Sequence, residues 1–406
     1  MSKLDKLICE LCPNGVEYRA LGDVCKLITG ATPSKKLSSY WNDGTIPWMS
    51  SGEVSLKRVW STEAKITQLA YDKTSTTLVP PHSIVIALAG QGKTRGKVAI
   101  TEIELCTNQS LCSIVCSNEL DYKFLYYYLD GKYEELRSIS NGDGSRGGLS
   151  LKILSPYKIP VPPLDVQREI VRILDNFTEL TAELTAELTA RKKQYEYYRD
   201  KLLTVDKTTK VVPLREVVKH SCSGGTPTKG VVEYYEKGNI PWIRTQDVRF
   251  NEIYGVDSYI TEKAVEKTSA KWIPKNCVIV AISGASAGRC AINRIRATTN
   301  QHCLNLEIDP QQALYRYVFH CISCKYQELL GKKQGARGDL NSTLILDTEI
   351  PLPALIEQER LVSILDRFDA LCNDLTSGLP AEIAARQKQY EFYRDKLLTF
   401  KERISI

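Results

Sequence analysis

Residues able to do chemistry fall into three groups in this sequence, and the first is a decoy. Ala87-Leu88-Ala89-Gly90-Gln91-Gly92-Lys93-Thr94 follows an apolar run and has the outline of a phosphate-cradling loop, with Ala for the first Gly. Such a loop should open a helix, whose N-terminus holds the phosphates. Arg95-Gly96-Lys97-Val98-Ala99-Ile100 reads instead as another strand, and the matching stretch Gly284-Ala285-Ser286-Ala287-Gly288-Arg289 has no lysine. ATP binding is not expected from this motif.

The second group is thiols and imidazoles. Cys9/Cys12 and Cys321/Cys324 are CxxC pairs, but no third and fourth ligands stand at zinc-site spacing, and the second pair lies in the helical pattern ALYRYVFHCISCKYQELL, where both can pack. Thirteen cysteines without a disulfide-framework spacing are expected to be reduced and mostly buried. His82, His220, His302 and His320 belong to no HExxH, and there is no GxSxG, adenine methyltransferase signature or glycine-rich cofactor fingerprint. The chain shows no catalytic equipment.

The third group is polar and basic, and it sits in loops. Lys35 and Lys36 stand against Lys229, and Gln91, Lys93, Thr94 and Arg95 stand against Ser286 and Arg289. Met49-Ser50-Ser51 stands against Arg244-Thr245-Gln246. Arg, Lys, Gln, Asn, Ser and Thr reach base edges in a major groove, and glycines let the backbone approach phosphates. Taken singly, each is also what a solvated loop carries. Arg146 and Arg337 recur in both halves, which suits phosphate contact or structure better than base reading.

Positioning such loops requires a scaffold, and the sequence encodes one twice. Gly30-Ala31-Thr32-Pro33 returns as Gly224-Gly225-Thr226-Pro227, Ile46-Pro47-Trp48 as Ile240-Pro241-Trp242, Asn108-Gln109 as Asn300-Gln301, and Gly144-Ser145-Arg146-Gly147-Gly148-Leu149 as Gly335-Ala336-Arg337-Gly338-Asp339-Leu340. Shared residues are expected to be scaffold, and residues that differ in matching loops are free to do different jobs. Trp48 and Trp242 are expected in the core rather than as base-stacking platforms. Short β-branched runs such as SIVIALA and VAITEI suggest strands, and one helix is expected over 121–139 and again over 311–330.

Each half ends in a long helix. The stretch after Pro160 carries Ile170, Ile173, Leu174, Phe177, Leu180, Leu184, Leu188, Tyr195, Tyr198 and Leu202 at spacings of three or four, an apolar stripe on a helix of roughly 40 residues and about 60 Å. A near copy follows Pro351, and the two are expected to pair as a coiled coil within the chain. From Gln167 to Gln194 is 27 positions, against 31 from Gln358 to Gln389, so the second copy is longer by one turn. Its middle, Ser377-Gly378-Leu379-Pro380, should break or kink the helix, with Ser377 free to cap the next piece. The first copy has Thr-Ala-Glu-Leu in tandem at 181–184 and 185–188.

At 406 residues and 43% hydrophobic, the chain has room for two or more domains. It has no apolar run of membrane-spanning length and no signal-peptide core, so a cytoplasmic location is expected. A net charge of +6 permits nucleic acid binding without requiring it.

The duplicated plan, with QREIVRILD and QERLVSILD opening the helices and KQYEYYRDKLL and KQYEFYRDKLL closing them, resembles the specificity subunit of type I restriction-modification enzymes over essentially the whole chain. The tandem repeat looks like that of the group whose spacer helix varies by this unit. The resemblance implies an α+β fold with two duplicated target recognition domains joined by two long antiparallel helices. Residues 1–160 and 206–350 would be the domains, 161–205 the central spacer helix and 351–406 the C-terminal one. It also implies a non-catalytic reader of a split, double-stranded DNA site, docked to two methyltransferase subunits and then to restriction subunits that drive cleavage. S-adenosylmethionine, ATP and Mg would sit on those partners. A specificity module of another restriction class, or a coiled-coil adaptor whose globules bind protein, would share the same outline.

Overall fold

The computed structural model describes residues 2–90, 94–140, 148–204, 209–332, 339–373 and 378–403. It divides into two compact units, Met1–Leu184 with Ile383–Ile406, and Thr185–Glu382. Each long helical stretch is therefore shared between units.

In the first unit a five-stranded sheet runs in the order Cys25–Thr29, Leu111–Cys116, Ile84–Ala87, Val98–Thr101, Arg58–Val59. Its central strands are buried along their whole length because both faces are covered. Ile84 and Ile86 face a core that includes Phe124 and Leu125, whereas Val85 and Ala87 face a second core with Met49, Val54 and Leu105. This two-residue alternation is the strand period made visible, and each buried Ile or Val is worth about 1.5–3 kcal/mol. A four-stranded sheet, Ala64–Ile66, Ile46–Met49, Leu105–Thr107, Leu78–Val79, and the pair Tyr18–Ala20 with Lys158–Pro160 complete the strands.

The second unit repeats this topology: Val218–Ser223, Cys303–Ile308, Val278–Ala281, Cys290–Asn293, Asn251–Ile253, then Tyr259–Ile260, Ile240–Ile243, Ala297–Thr299, Trp272–Ile273, and the pair Val211–Pro213 with Glu349–Pro351. Val278 and Val280 again face one core, and Ile279 and Ala281 the other. The α+β duplication read from the sequence is the architecture of the chain. All thirteen cysteines are free thiols, and nine are buried.

The helix expected over 121–139 is two helices, Tyr122–Gly131 and Tyr133–Ser138, and that over 311–330 is Tyr315–Cys324 and Tyr326–Gly331. The second begins later than expected because Asp309 turns residues 311–313, its carboxylate accepting from Gln311 N at 3.0 Å.

The central helix spans Leu164–Leu202, 39 residues without a break. The second stretch is two helices, Leu355–Asn373 and Leu379–Leu397, so the interruption expected at Pro380 is present. Pro380 occupies the first turn of the later helix, where a missing N–H costs little. Ser377 lies outside the described residues. The apolar stripe is buried at its ends, by Ile170 and Leu174 in the first unit and Tyr195 in the second, but Leu180 between them is 37% exposed. Among the described residues no helix is long and apolar enough to cross a membrane.

The repeated helix motifs explain themselves in this packing. Gln167 is fully buried; it accepts from Asp121 N at 2.8 Å and donates to the carbonyls of Glu119 at 2.9 Å and Pro162 at 2.7 Å. Gln358 does the same with Leu314 N, Gln312 O and Pro353 O. Phe177 stacks on Tyr393 at 5.4 Å in one unit, and Phe368 on Tyr198 at 5.9 Å in the other. Each unit thus joins the start of one long stretch to the end of the other. Because Gln167→Leu would leave three backbone groups unsatisfied, it is expected to destabilise the full chain by about 3 kcal/mol in denaturant titration.

Candidate nucleic-acid interface

In each unit five turns gather at one end of a central hairpin. In the first, Thr32 hydrogen-bonds Gln109, Asn108 N donates to Met49 O at 3.1 Å, Leu88 N to Ser110 O at 2.8 Å, and Leu149 N to Leu88 O at 2.8 Å. In the second, Thr226 hydrogen-bonds Gln301, Asn300 N donates to Ile243 O at 2.9 Å, Ile282 N to His302 O at 2.9 Å, and Leu340 N to Ile282 O at 2.7 Å. The same backbone lattice is therefore built twice from the shared residues.

Those shared residues are scaffold, as expected. A Cβ on Gly30 would stand 1.8 Å from Thr107 O and one on Gly224 2.1 Å from Thr299 O, so only glycine fits against the neighbouring strand. Trp48 and Trp242 are buried and donate their indole N–H to Ala31 O at 3.0 Å and Gly225 O at 3.1 Å. In both hairpins a strand, not a helix, follows the stretch with the phosphate-loop outline or its counterpart. Strand Ile84–Ala87 is answered by the antiparallel strand Val98–Thr101, and Gly96 turns with φ of 83°, as Gly288 does with 88°.

The residues that differ line these turns. Lys35, Lys36, Lys229 and Gln246 are exposed; Thr94, Arg95, Arg244, Ser286 and Arg289 are half-buried. Among the described residues no carboxylate pairs with the side chains of Lys35, Lys36, Lys229, Arg95, Arg244 or Arg289, which leaves their charge available to an anion. The Nε of Arg95 and of Arg244 is buried without a hydrogen-bond partner. Gln91, Lys93, Arg146 and Arg337 lie outside the described residues, although Leu149 and Leu340 just beyond the last two belong to the cluster.

Two matches made from the sequence shift. Met49 and Ile243 both accept from the shared Asn, so the counterpart of Arg244 is Ser50, not Met49. The backbone N–H of each donates to an acid three residues on, Ser50 to Glu53 at 2.7 Å and Arg244 to Asp247 at 2.8 Å. Ala87 N donates to Lys97 O and Ala281 N to Arg289 O, which pairs Arg289 with Lys97. Lys97 was missed, and the Gly96-Lys97 and Gly288-Arg289 dipeptides ahead of matching strands were the available signal.

Two loop clusters on one repeated scaffold, alike in backbone and unlike in side chains, define a two-module binding protein. The model of the type I restriction modification DNA specificity domain matches residues 13–191 and again 206–385, and the chain belongs to that family. It is 34% identical to a type I restriction enzyme specificity subunit of Escherichia coli, over 98% of this chain and 97% of the relative. A putative type I restriction enzyme specificity subunit of Haemophilus influenzae is 29% identical over 95% and 96%. Among solved structures, the S subunit of a type I system from M. genitalium aligns over 95% of this chain and 96% of that one, with TM-score 0.56 and 16% identity. A chain from a type I R-M system study of complex assembly aligns over 95% and 98%, with TM-score 0.66 and 17% identity. These two likenesses establish the shared fold.

Proposed function

We propose that this chain is the sequence-reading subunit of a type I restriction-modification complex, each unit reading one half of a split, asymmetric duplex site. The observation that carries this reading is the doubled loop cluster, in which an identical lattice presents different side chains, Ser50 against Arg244 above all. Half-buried arginine held at one end by the fold suits bidentate contact with guanine edges, and exposed Lys35, Lys36 and Lys229 suit phosphates. The chain itself supplies no chemistry; it positions DNA for partners that carry S-adenosylmethionine, ATP and Mg, in the cytoplasm.

Two methyltransferase subunits would dock on the long helices, and restriction subunits would join them. Tyr197 and Phe392 support this: they hold the same position in the two copies of the closing helix motif and are 62% and 63% exposed. Twin exposed aromatics suit one partner used twice.

The test is co-expression with the methyltransferase subunit encoded in the same cell, followed by genome-wide mapping of methylated adenines. A single split motif is expected, and exchanging the loops of one unit should change one half of it. A verified complex that methylates no such motif would favour the adaptor reading instead.

A further inference from the structure

We infer that the second unit alone carries a cationic aromatic subsite for the sugar–phosphate backbone of duplex DNA, outside the loop cluster that faces the bases. It rests on the reading of the chain as a DNA reader. Trp272 is 37% exposed on an edge strand, and the Arg296 guanidinium lies 4.3 Å from its ring centroid. With Ile273, Pro274 and Lys275 they line a cavity of about 420 Å³. Lys271 is exposed next to Trp272. Among the described residues no carboxylate pairs with Lys271, Lys275 or Arg296, so Arg296 over the ring and Lys275 in the cavity wall keep their positive charge without neutralisation, with Lys271 adding a third cation one residue before the ring. An anion flanked by an apolar ring is the chemistry such a site recognises, and a phosphate with its deoxyribose supplies both.

Its place in the fold points the same way. A Cβ on Gly225 would stand 2.4 Å from Ala270 N, so the chain entering this strand abuts the Gly225-Thr226 turn of the loop cluster. Trp272 pairs with Thr298 and Ile273 with Ala297, which sets Arg296 at the start of the strand that leads to Asn300 and Gln301. In the first unit the register is Leu78 with Cys106 and Val79 with Leu105. Leu78 therefore stands for Trp272, Glu104 for Arg296, Thr77 for Lys271 and Pro81 for Lys275. There the ring is gone and the one charge is negative. The subsite is an asymmetry between otherwise matching units.

The test is equilibrium binding of the full chain, assembled with its methyltransferase subunit, to a duplex bearing its methylated motif, across 50–200 mM salt. Each phosphate contact contributes about 0.9 to the slope of log K against log salt. The double variant R296Q/K275Q is expected to lower that slope by about 1.8 while leaving the recognised bases unchanged. W272A should weaken binding, and R296K, which keeps the charge, should keep the slope. Ethylation of phosphates should interfere at an added position beside the half-site of the second unit, and this interference should vanish in R296Q/K275Q. An unchanged slope in the double variant, with sequence-specific binding intact, overturns the subsite and leaves the reader standing. A lowered unfolding midpoint with an unchanged slope also overturns it, assigning Arg296 and Trp272 to structure. Wild-type protein without salt-dependent, sequence-specific binding overturns both.

Discussion

Deleting residues 181–184 is expected to shift recognition to a shorter gap between unchanged half-sites, with affinity for the original spacing falling at least about 100-fold, as when base contacts at one or two positions are lost. The segment lies in the unbroken helix Leu164–Leu202, where the first unit gives way to the second. Ala182 and Glu183 are exposed, and Thr181 turns its hydroxyl back to Phe177 O at 2.8 Å, so removal takes little from either core. Four residues are about 6 Å of helix and roughly 40° beyond a full turn, against about 3.4 Å per base pair of DNA. The gap should therefore shorten by one or two base pairs. Binding to duplexes whose gap is varied one pair at a time decides the matter, and an unchanged optimum would remove the helix from the role of ruler.

Asp366→Ala is expected to destabilise the second unit by about 3 kcal/mol, read from denaturant unfolding of the full chain. Asp366 accepts from Arg316 Nε at 2.6 Å, and its other oxygen lies 2.9 Å from Nε2 of His320, a fully buried ring whose Nδ1 is 3.3 Å from the Tyr195 hydroxyl. Removing the carboxylate leaves the buried imidazole with the Tyr195 hydroxyl alone, whereas Arg316 keeps its ion pair with Glu252, and with the Asp366 side chain still 28% exposed the cost falls at the low end of such losses. Burial pushes the Asp366 carboxyl up, but the hydrogen bonds from His320 and Arg316 outweigh it and hold the carboxyl below its ordinary value. A depressed carboxylate gives stability that is complete above its unfolded pKa, about 3.9, and is lost as pH falls below that. Asp366→Asn should accordingly flatten the stability curve below about pH 4. The matching Asp175 is held by Tyr127 at 2.6 Å and Lys123 at 2.7 Å, and Tyr127 also reaches Thr178 at 3.1 Å, so Asp175→Ala should cost less.

Much of this architecture could be read from the residues because the chain states it twice. Gly30 and Gly224, or Trp48 and Trp242, recur since each must fit against the same strand and the same carbonyl, and recurrence in order marks them as scaffold. The break at Pro380 was visible because proline cannot continue an existing helix. Harder to see were matches that rest on backbone rather than side-chain likeness. Ser50 and Arg244 have little in common except the acid three residues later. The short breaks at Lys132 and Lys325 fall inside continuous apolar patterns, so periodicity alone runs through them. Trp272 and Arg296, like His320 and Asp366, are far apart in sequence and meet only through strand pairing or helix packing, which no local pattern encodes.

The division of the long helical stretches also sets the order in which the protein can be finished during synthesis. Thr185–Glu382 is one uninterrupted span, with Tyr195 and Leu203 already inside its core. The other unit begins at Met1 but draws Tyr390 and Leu398 into its core, and Val16 exchanges hydrogen bonds with Lys401 and Arg403 at 2.8 and 2.9 Å. At 5–20 residues per second the ribosome needs roughly 10–40 s to make the intervening 200 or so residues. The globule that emerges first is thus the one that closes last, the reverse of the usual N-terminal-first sequence, and during that interval its unfilled core is the part of the nascent chain most open to chaperones and to misassembly.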